Sequence, residues 1–529
     1  MSRTSEPDPT AASRLGTSTG IVMGATALSR ILGFVRTAVF SGIFGGGATA
    51  DVLNLVFSIP NNLRKLMAEG ALSSAFIPVM SETVAADRDG DRSRRLFSSL
   101  IGLQCVVLIP LTILSVIFAP QLIRLLFSFP TSAQHELGVD LFRFLMNYTL
   151  LVSISAVLMG TLHAHGRFAV PSITPLLFSI AVICAILLLH QQLGIFSMVV
   201  GVLVGGIAQV LFQIPSLVRL GYRKFFSLDF TSPDFKRILR RWAPVVVTSS
   251  VYTINQQISM LLASGLEEGS STALLNALIF WQLPFGIFSA SIATVFFPAM
   301  SRQAAIKDYQ HLERTITRGL TSLFALLLPS AVLLAVMGRP AIGVALQRGA
   351  FTAEYTHMAS RVLIGYSFGL FSVAGFNLVQ RLFYALGQYR IPLYVALATM
   401  TLDVGLSLIL RETPLRVVGL AVANSMAFSV GLVVMLVVLY RRYRIHPGRG
   451  MLPEAFKVVI SSVIIGSIAL LGVYYIIGDA WQLGSTLRNW VATLGIGLST
   501  LAVLFALYML FRIDVIQFLL KRRRSNVQD

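Results

Sequence analysis

The chain has 529 residues, 55% of them hydrophobic and only 12% charged, with a mean hydropathy of +0.77 and a formal net charge of +19. A soluble domain carries about a quarter charged residues, so the composition excludes an ordinary globular protein and indicates an integral membrane protein. The positive charge does not indicate nucleic acid, because the basic residues lie in short clusters between apolar runs and not on one soluble module.

Residues 1–19 are polar and Ser/Thr-rich without the apolar centre of a secretory signal, so the first hydrophobic segment is expected to remain as a helix behind a cytoplasmic tail. A spanning helix needs about 20 mostly apolar residues. Fourteen segments are candidates: 20–42, 50–68, 96–119, 139–163, 169–190, 195–218, 240–264, 271–299, 317–337, 356–384, 391–410, 416–440, 456–477 and 489–511. The second is the weakest, since SIPNNLRKLMAEG (58–70) interrupts it with a proline, two asparagines and an arginine. Cys105 and Cys184 fall inside apolar runs, read as small hydrophobes, and suggest no disulfide framework.

The polar residues inside these spans carry the functional signal. Arg30 and Arg36 lie in span 1, where an arginine at mid-membrane costs roughly 2.5–3.5 kcal/mol even on insertion scales. Six residues apart, they point about 240° from each other around a helix. They either line a wide cavity, or one of them snorkels to an interface. Asp51 opens span 2, where N-capping is the plain alternative to a functional role. Asn61, Arg64 and Glu69 follow, with inner-side anchoring the rival reading for Arg64.

Later spans offer mainly amides at comparable places: Asn255, Gln256, Gln257, Asn276, Gln282, Asn377 and Gln380, with Arg361, Arg381 and Asp403. A charge-dense first half suggests a cationic lining for something anionic. Asp403 sits in the middle of span 11 without a basic neighbour, so it must be protonated, ion-bound or paired with a distant arginine such as Arg361 or Arg381. Thr399, one turn earlier on the same face, completes a candidate site for a cation or proton.

Loop charge sets the orientation. DRDGDRSRR (87–95), HGR (165–167), the basic stretch over 221–241, residues 301–318, GQYR (387–390), YRRYRIHPGRG (440–450) and the tail KRRRS fall on one side. SGIFGGGATAD (41–51), HQQLGIF (190–196), GLEEGSS (265–271) and IGDAWQLGSTLR (477–488) fall on the other. This alternation places both termini in the cytoplasm. Two outer loops, around Arg339/Arg348 and Arg411/Arg416, depart mildly from it.

The chain also repeats. AFIPVMSETVA (75–85) resembles VFFPAMSRQAA (295–305), with Pro78 matching Pro298 at an offset of 220. LHAHGRFAVP (162–171) resembles FYALGQYRIP (383–392), with Gly166 matching Gly387 at an offset of 221. Agreeing offsets imply two parallel six-helix repeats, spans 1–6 and 7–12, with two helices appended. That is a transporter architecture. The expected organisation is a tail (1–19), an N-lobe (20–220), a C-lobe (221–445), two further helices (446–512) and a basic cytoplasmic tail (513–529). HAH (163–165) lacks a third ligand and DRDGD (87–91) lacks the rest of a calcium loop, so both read as loop elements. No P-loop, nucleophile elbow or zincin signature occurs.

The stretch from Ser29 to Glu82, SRILGFVRTAVFSGIFGGGATADVLNLVFSIPNNLRKLMAEGALSSAFIPVMSE, resembles the start of MurJ/MviN-type lipid II flippases of the multidrug/oligosaccharidyl-lipid/polysaccharide (MOP) exporter superfamily. GRFAVPSITPLL (166–177), QRGAFTAEYT (347–356) and RLFYALGQYRIP (381–392) extend the resemblance. It implies an all-α membrane protein of fourteen helices, with two six-helix lobes around a central cavity and a groove by the last two helices for a lipid tail.

It further implies a flippase and not an enzyme, moving lipid II across the bacterial cytoplasmic (inner) membrane in cell-wall biosynthesis by alternating access. By motif position, the implied substrate residues are Arg30, Arg36, Asp51, Asn61, Arg64 and Glu69. Lipid II and membrane lipids are the implied partners. No cofactor is implied beyond a coupling ion, sodium or proton. Two departures stand out: Ile279 and Gln282 occupy places where some members carry an arginine and a glutamate before the proline, and Ser259 stands where an acid is expected near the cation site. The alternatives are another MOP exporter, whose drug-cation type would line its cavity with acids, a membrane glycosyltransferase, which would need catalytic acids at a membrane face, and a non-transporting paralogue.

Overall fold

The computed structural model describes residues 9–65, 73–87, 89–448 and 451–513, and every regular element among them is helical. The first half comprises α1 (Pro9–Phe44), α2 (Ala48–Arg64), α3 (Ser73–Ala86), α4 (Asp91–Ile117), α5 (Ala119–Leu126), α6 (Ser132–Ala164), α7 (Ala169–Leu193), α8 (Phe196–Arg219) and α9 (Pro233–Ala263). Next, α10 (Ser270–Pro284) passes through a π-helical turn into α11 (Ala290–Ala305). After these come α12 (Tyr309–Leu346), α13 (Ala353–Ser367), α14 (Leu370–Ala385), α15 (Arg390–Leu410) and α16 (Val417–Tyr443). Finally α17 (Met451–Gly472) continues through a π-helical turn, Val473–Ile477, and a short 3-10 turn, Gly478–Leu483, to α18 (Leu487–Leu510).

Among the described residues, eleven helices are long and apolar enough to cross a membrane, or twelve if the bent pair α13 and α14, which meet at 44°, is one span. The second and seventh expected spans are helical but fall short of that standard. α2 has only 17 residues and carries Asp51, Pro60 and Arg64. The apolar part of α9 is diluted by Asn255, Gln256 and Gln257. Two short helices, α3 and α5, stand as elements of their own beyond the expected spans.

The chain divides into two compact units, Met1–Phe44 with Ala48–Gln257, and Gly45–Gly47 with Ile258–Asp529. The division falls inside α9, for a visible reason. Phe235 and Ile238 of α9 are buried in one cluster with Phe97, Leu100 and Tyr222. Asp234 pairs with Arg92 at 2.9 Å, and Arg237 pairs with Glu82 at 2.5 Å.

Within the first unit, α7 and α8 approach closely because α8 presents glycines. A Cβ on Gly201 would stand 2.7 Å from the Val182 Cα, and one on Gly205 would stand 3.0 Å from the Phe178 ring. Small residues at a helix interface let membrane helices pack backbone to backbone.

The sequence match around Gly166 and Gly387 has a structural counterpart. Both adopt left-handed φ, 69° and 72°. Gly166 N–H donates to the His163 carbonyl at 2.9 Å, and Gly387 N–H to that of Tyr384 at 3.0 Å. Arg167 N–H donates to the Leu162 carbonyl and Gln388 N–H to the Phe383 carbonyl, both at 2.8 Å. The same αL turn thus closes α6 and α14. His165 belongs to the first of these turns, its Nδ1 3.0 Å from the Thr161 carbonyl, while His163 lies in the last turn of α6.

Candidate functional site

A cavity of about 300 Å³ lies inside the first unit. Its polar face is built by periodicity. Ser29, Gly33 and Arg36 reach it from α1, and Phe57, Asn61 and Arg64 reach it from α2. Each trio has i, i+4, i+7 spacing, which puts all three side chains on one stripe of their helix. Two guanidiniums therefore converge on one space. The Arg36 Cζ stands 5.2 Å from the centre of the Phe178 ring, a cation–π contact. The Arg64 Nε donates to the Asn61 Oδ1 at 3.2 Å. Aromatic and hydroxyl groups complete the wall, with Tyr148 and Ser155 from α6, Phe178 from α7 and Gln209 from α8.

The adjacent face of α2, one position on and about 100° round the helix, is held by α9. Asn62 Nδ2 donates to Gln257 Oε1 at 2.7 Å, Gln257 Nε2 donates to Ser58 Oγ at 3.0 Å, and Lys65 Nζ donates to Gln256 Oε1 at 3.3 Å. These bonds fix the rotation of α2, and with it the direction of Asn61 and Arg64. Pro60 lies inside the same helix, where it cannot donate to the backbone. The adjacent amide bonds hold the segment across that break.

The structure thus brings Arg36, Asn61 and Arg64 together and separates the other sequence candidates. Arg30 is exposed on α1, off the stripe that lines the cavity. Asp51 is half-buried in the first turn of α2, which begins at Ala48. The helix dipole favours an acid in that first turn. Glu69 lies outside the described residues. Sequence reading missed the cavity contributors Tyr148, Phe178 and Gln209. Tyr148 and Phe178 are aromatics inside apolar runs, with no pattern to separate them from core. Gln209 did carry a signal, as an amide inside an apolar span. Gln213, one turn on, is buried and donates to Ser155 Oγ at 2.8 Å.

Asp403 is buried in the second unit, 1% exposed. Asn424 Nδ2 of α16 donates to its Oδ2 at 2.7 Å, and Ser407 Oγ donates to its Oδ1 at 3.3 Å. Arg361 and Arg381, the partners weighed from sequence, are exposed on α13 and α14. Thr399 is buried one turn before Asp403, and its hydroxyl oxygen has no hydrogen-bond partner among the described residues. Gly431 of α16 faces that hydroxyl closely enough that a Cβ would collide with it. The Asp403 carboxylate is thus held by two donors, the Asn424 amide and the Ser407 hydroxyl, beside the buried Thr399 hydroxyl. Among the described residues no group of three or more His, Cys, Asp or Glu side chains has metal-binding proximity. On α10, Ile279 is half-buried and Gln282 exposed.

Many helices long and apolar enough to cross a membrane, with an internal, arginine-lined cavity, make the architecture of a membrane transporter. A sequence model of one family, described as Lipid II flippase MurJ, matches residues 40–492. The probable lipid II flippase MurJ of Borreliella burgdorferi is 30% identical over 499 residues, covering 94% of this chain and 97% of its own. A solved structure of a lipid II flippase MurJ in an inward closed conformation shares the fold with a TM-score of 0.77 at 24% identity, over 94% of this chain and 99% of that one. An inward-facing MATE family multidrug transporter of the MOP superfamily shares it with a TM-score of 0.68 at 15% identity, over 80% and 98%. The chain belongs to the lipid II flippase MurJ family.

Proposed function

We propose that this protein carries lipid II from the inner to the outer leaflet of the bacterial cytoplasmic membrane by alternating access, with both termini in the cytoplasm. The observation that carries the reading is the pair of guanidiniums, Arg36 and Arg64, facing one cavity from two helices. A diphosphate linking a polyprenyl tail to a sugar–peptide head needs compensating positive charge to leave water. Arginine suits it because the guanidinium is always charged, planar and able to donate two parallel hydrogen bonds. Arg36, Asn61 and Arg64 hold the diphosphate in this scheme, and Asp51, Arg30 and Glu69 act at the headgroup around it. Asp403 and Thr399 hold the coupling cation or proton, a role their buried oxygens support.

The fourteen-helix count and the two six-helix repeats belong to the same proposal. The recurring αL turns after α6 and α14 support them. A drug-cation exporter of the superfamily is disfavoured, because the described residues lining the cavity include two arginines and no carboxylate. Depleting the protein from its host and labelling lipid II at the outer leaflet tests the function. The proposal expects lipid II to accumulate inside and vanish outside. Unchanged outer labelling after complete depletion would exclude it.

A further inference from the structure

A second cavity, of about 720 Å³, opens in the second unit where α12, α13 and the end of α17 meet. It shares no lining residue with the arginine-lined cavity. Arg339 of α12 lies at its rim with the Cζ 5.0 Å from the centre of the Trp481 ring. Asp479 stands on the same rim, Val336 and Ile364, both half-buried, form an apolar floor, and Leu470 stands exposed at its edge. Among the described residues neither Arg339 nor Asp479 forms a salt bridge, so one cavity displays a cation and an anion that do not neutralise each other.

Three features mark the cavity as built for a ligand. The π-helical turn Val473–Ile477 ends α17 here, an irregularity frequent at functional sites. It turns Tyr474 and Tyr475 outward with rings at 85° and centres 5.0 Å apart, both exposed beside the cavity. The turn bearing Asp479 and Trp481 is pinned in place. Gln347 Nε2 donates to the Gln482 carbonyl at 2.6 Å, Asn489 Nδ2 to the Ala480 carbonyl at 2.6 Å, and Ser485 N–H to the Gln347 carbonyl at 3.1 Å. Finally, Arg339 is one of the arginines that depart from the positive-inside pattern, placed on the side away from the basic loops. A charge kept against that pattern calls for a use.

We infer that this cavity binds the head of a zwitterionic phospholipid of the outer leaflet. Its phosphate lies on Arg339, its ammonium on Asp479, and the start of its acyl chains on the apolar floor. Guanidinium and phosphate make charge-assisted hydrogen bonds, and an ammonium with N–H groups makes them with a carboxylate. Tyrosines and a tryptophan at the rim suit the headgroup level of a bilayer. An anionic phospholipid without an amine would satisfy Arg339 alone and leave Asp479 repelled.

The test is native mass spectrometry of the purified full-length protein titrated with phosphatidylethanolamine or phosphatidylglycerol. The wild type should retain phosphatidylethanolamine by roughly tenfold over phosphatidylglycerol, the equivalent of one charge-assisted hydrogen bond. Asp479→Asn should bring that ratio near one without loss of phosphatidylglycerol binding, and Arg339→Ala should weaken retention of both. A wild-type ratio of one or below overturns the inference, and this readout needs no variant to fold. Retention unchanged in Arg339→Ala, or a ratio unchanged in Asp479→Asn, overturns it equally.

Discussion

Replacing Arg36 tests the cavity chemistry most sharply, because the structure ranks its variants. A guanidinium fork on a diphosphate makes two charge-assisted hydrogen bonds of roughly 1.5–3 kcal/mol each. Arg36→Ala removes both and should slow flipping by at least about a hundredfold, the equivalent of about 3 kcal/mol. Arg36→Lys keeps the charge but loses the fork and its face-on seat against Phe178, 5.2 Å away, so a loss of about tenfold is expected. Phe178→Leu leaves the arginine in place and removes only the ring beneath it. A cation–π contact of about 0.5–2 kcal/mol corresponds to roughly a two- to thirtyfold effect. The assay is outer-leaflet lipid II in depleted cells carrying each variant, with membrane levels measured by immunoblot. Full flipping by Arg36→Ala at the wild-type level would refute the reasoning, as would Phe178→Leu proving more damaging than Arg36→Ala.

Arg30→Ala is expected to reduce flipping less than Arg36→Ala, since Arg30 stands off the cavity stripe of α1; an equal loss in the same cells would show that it too contacts substrate. Asp403→Asn should leave folding intact and abolish the dependence of flipping on sodium or the proton gradient, whereas a merely structural Asp403 predicts a fall in thermal stability with ion dependence retained. Gly201→Ala would push a methyl to 2.7 Å from the Val182 Cα. It should destabilise the protein by roughly 1–3 kcal/mol in a thermal melt in detergent, and an unchanged melting temperature would show that α7 and α8 yield freely. Arg416 holds φ 45° and ψ −119°, a backbone conformation that glycine alone adopts easily. Arg416→Gly should therefore raise thermal stability by about 1 kcal/mol, and a lower melting temperature would contradict that strain.

Much of this fold is legible in the sequence because the bilayer imposes a coarse rule. Apolar runs of membrane length become helices, and the helix-terminal glycines 166 and 387 mark matching turns. The rule weakens where the chain departs from lipid-facing chemistry. α2 and α9 carry the amides and charges that hold them to each other, so the residues that fix the site also dilute the span signal. The arginines were visible as costly insertions, but which of them faces a cavity depends on helix rotation. Six residues of spacing show that Arg30 and Arg36 diverge without saying which one turns inward. The partner of Asp403 was hidden for a related reason. Asn424 lies on the next helix, and nothing local to Asp403 points to it. Phe178 and Tyr148 look like core until Arg36 is placed beside them.

Lipid II movement by the purified protein tests the central claim most directly. The full-length chain is reconstituted into liposomes carrying fluorescent lipid II, and the fraction protected from a membrane-impermeant quencher is followed in time. The account predicts that the protected fraction falls at a rate proportional to the amount of protein, and that Arg36→Ala liposomes match protein-free ones. Wild-type liposomes whose protected fraction equals that of protein-free liposomes would contradict it.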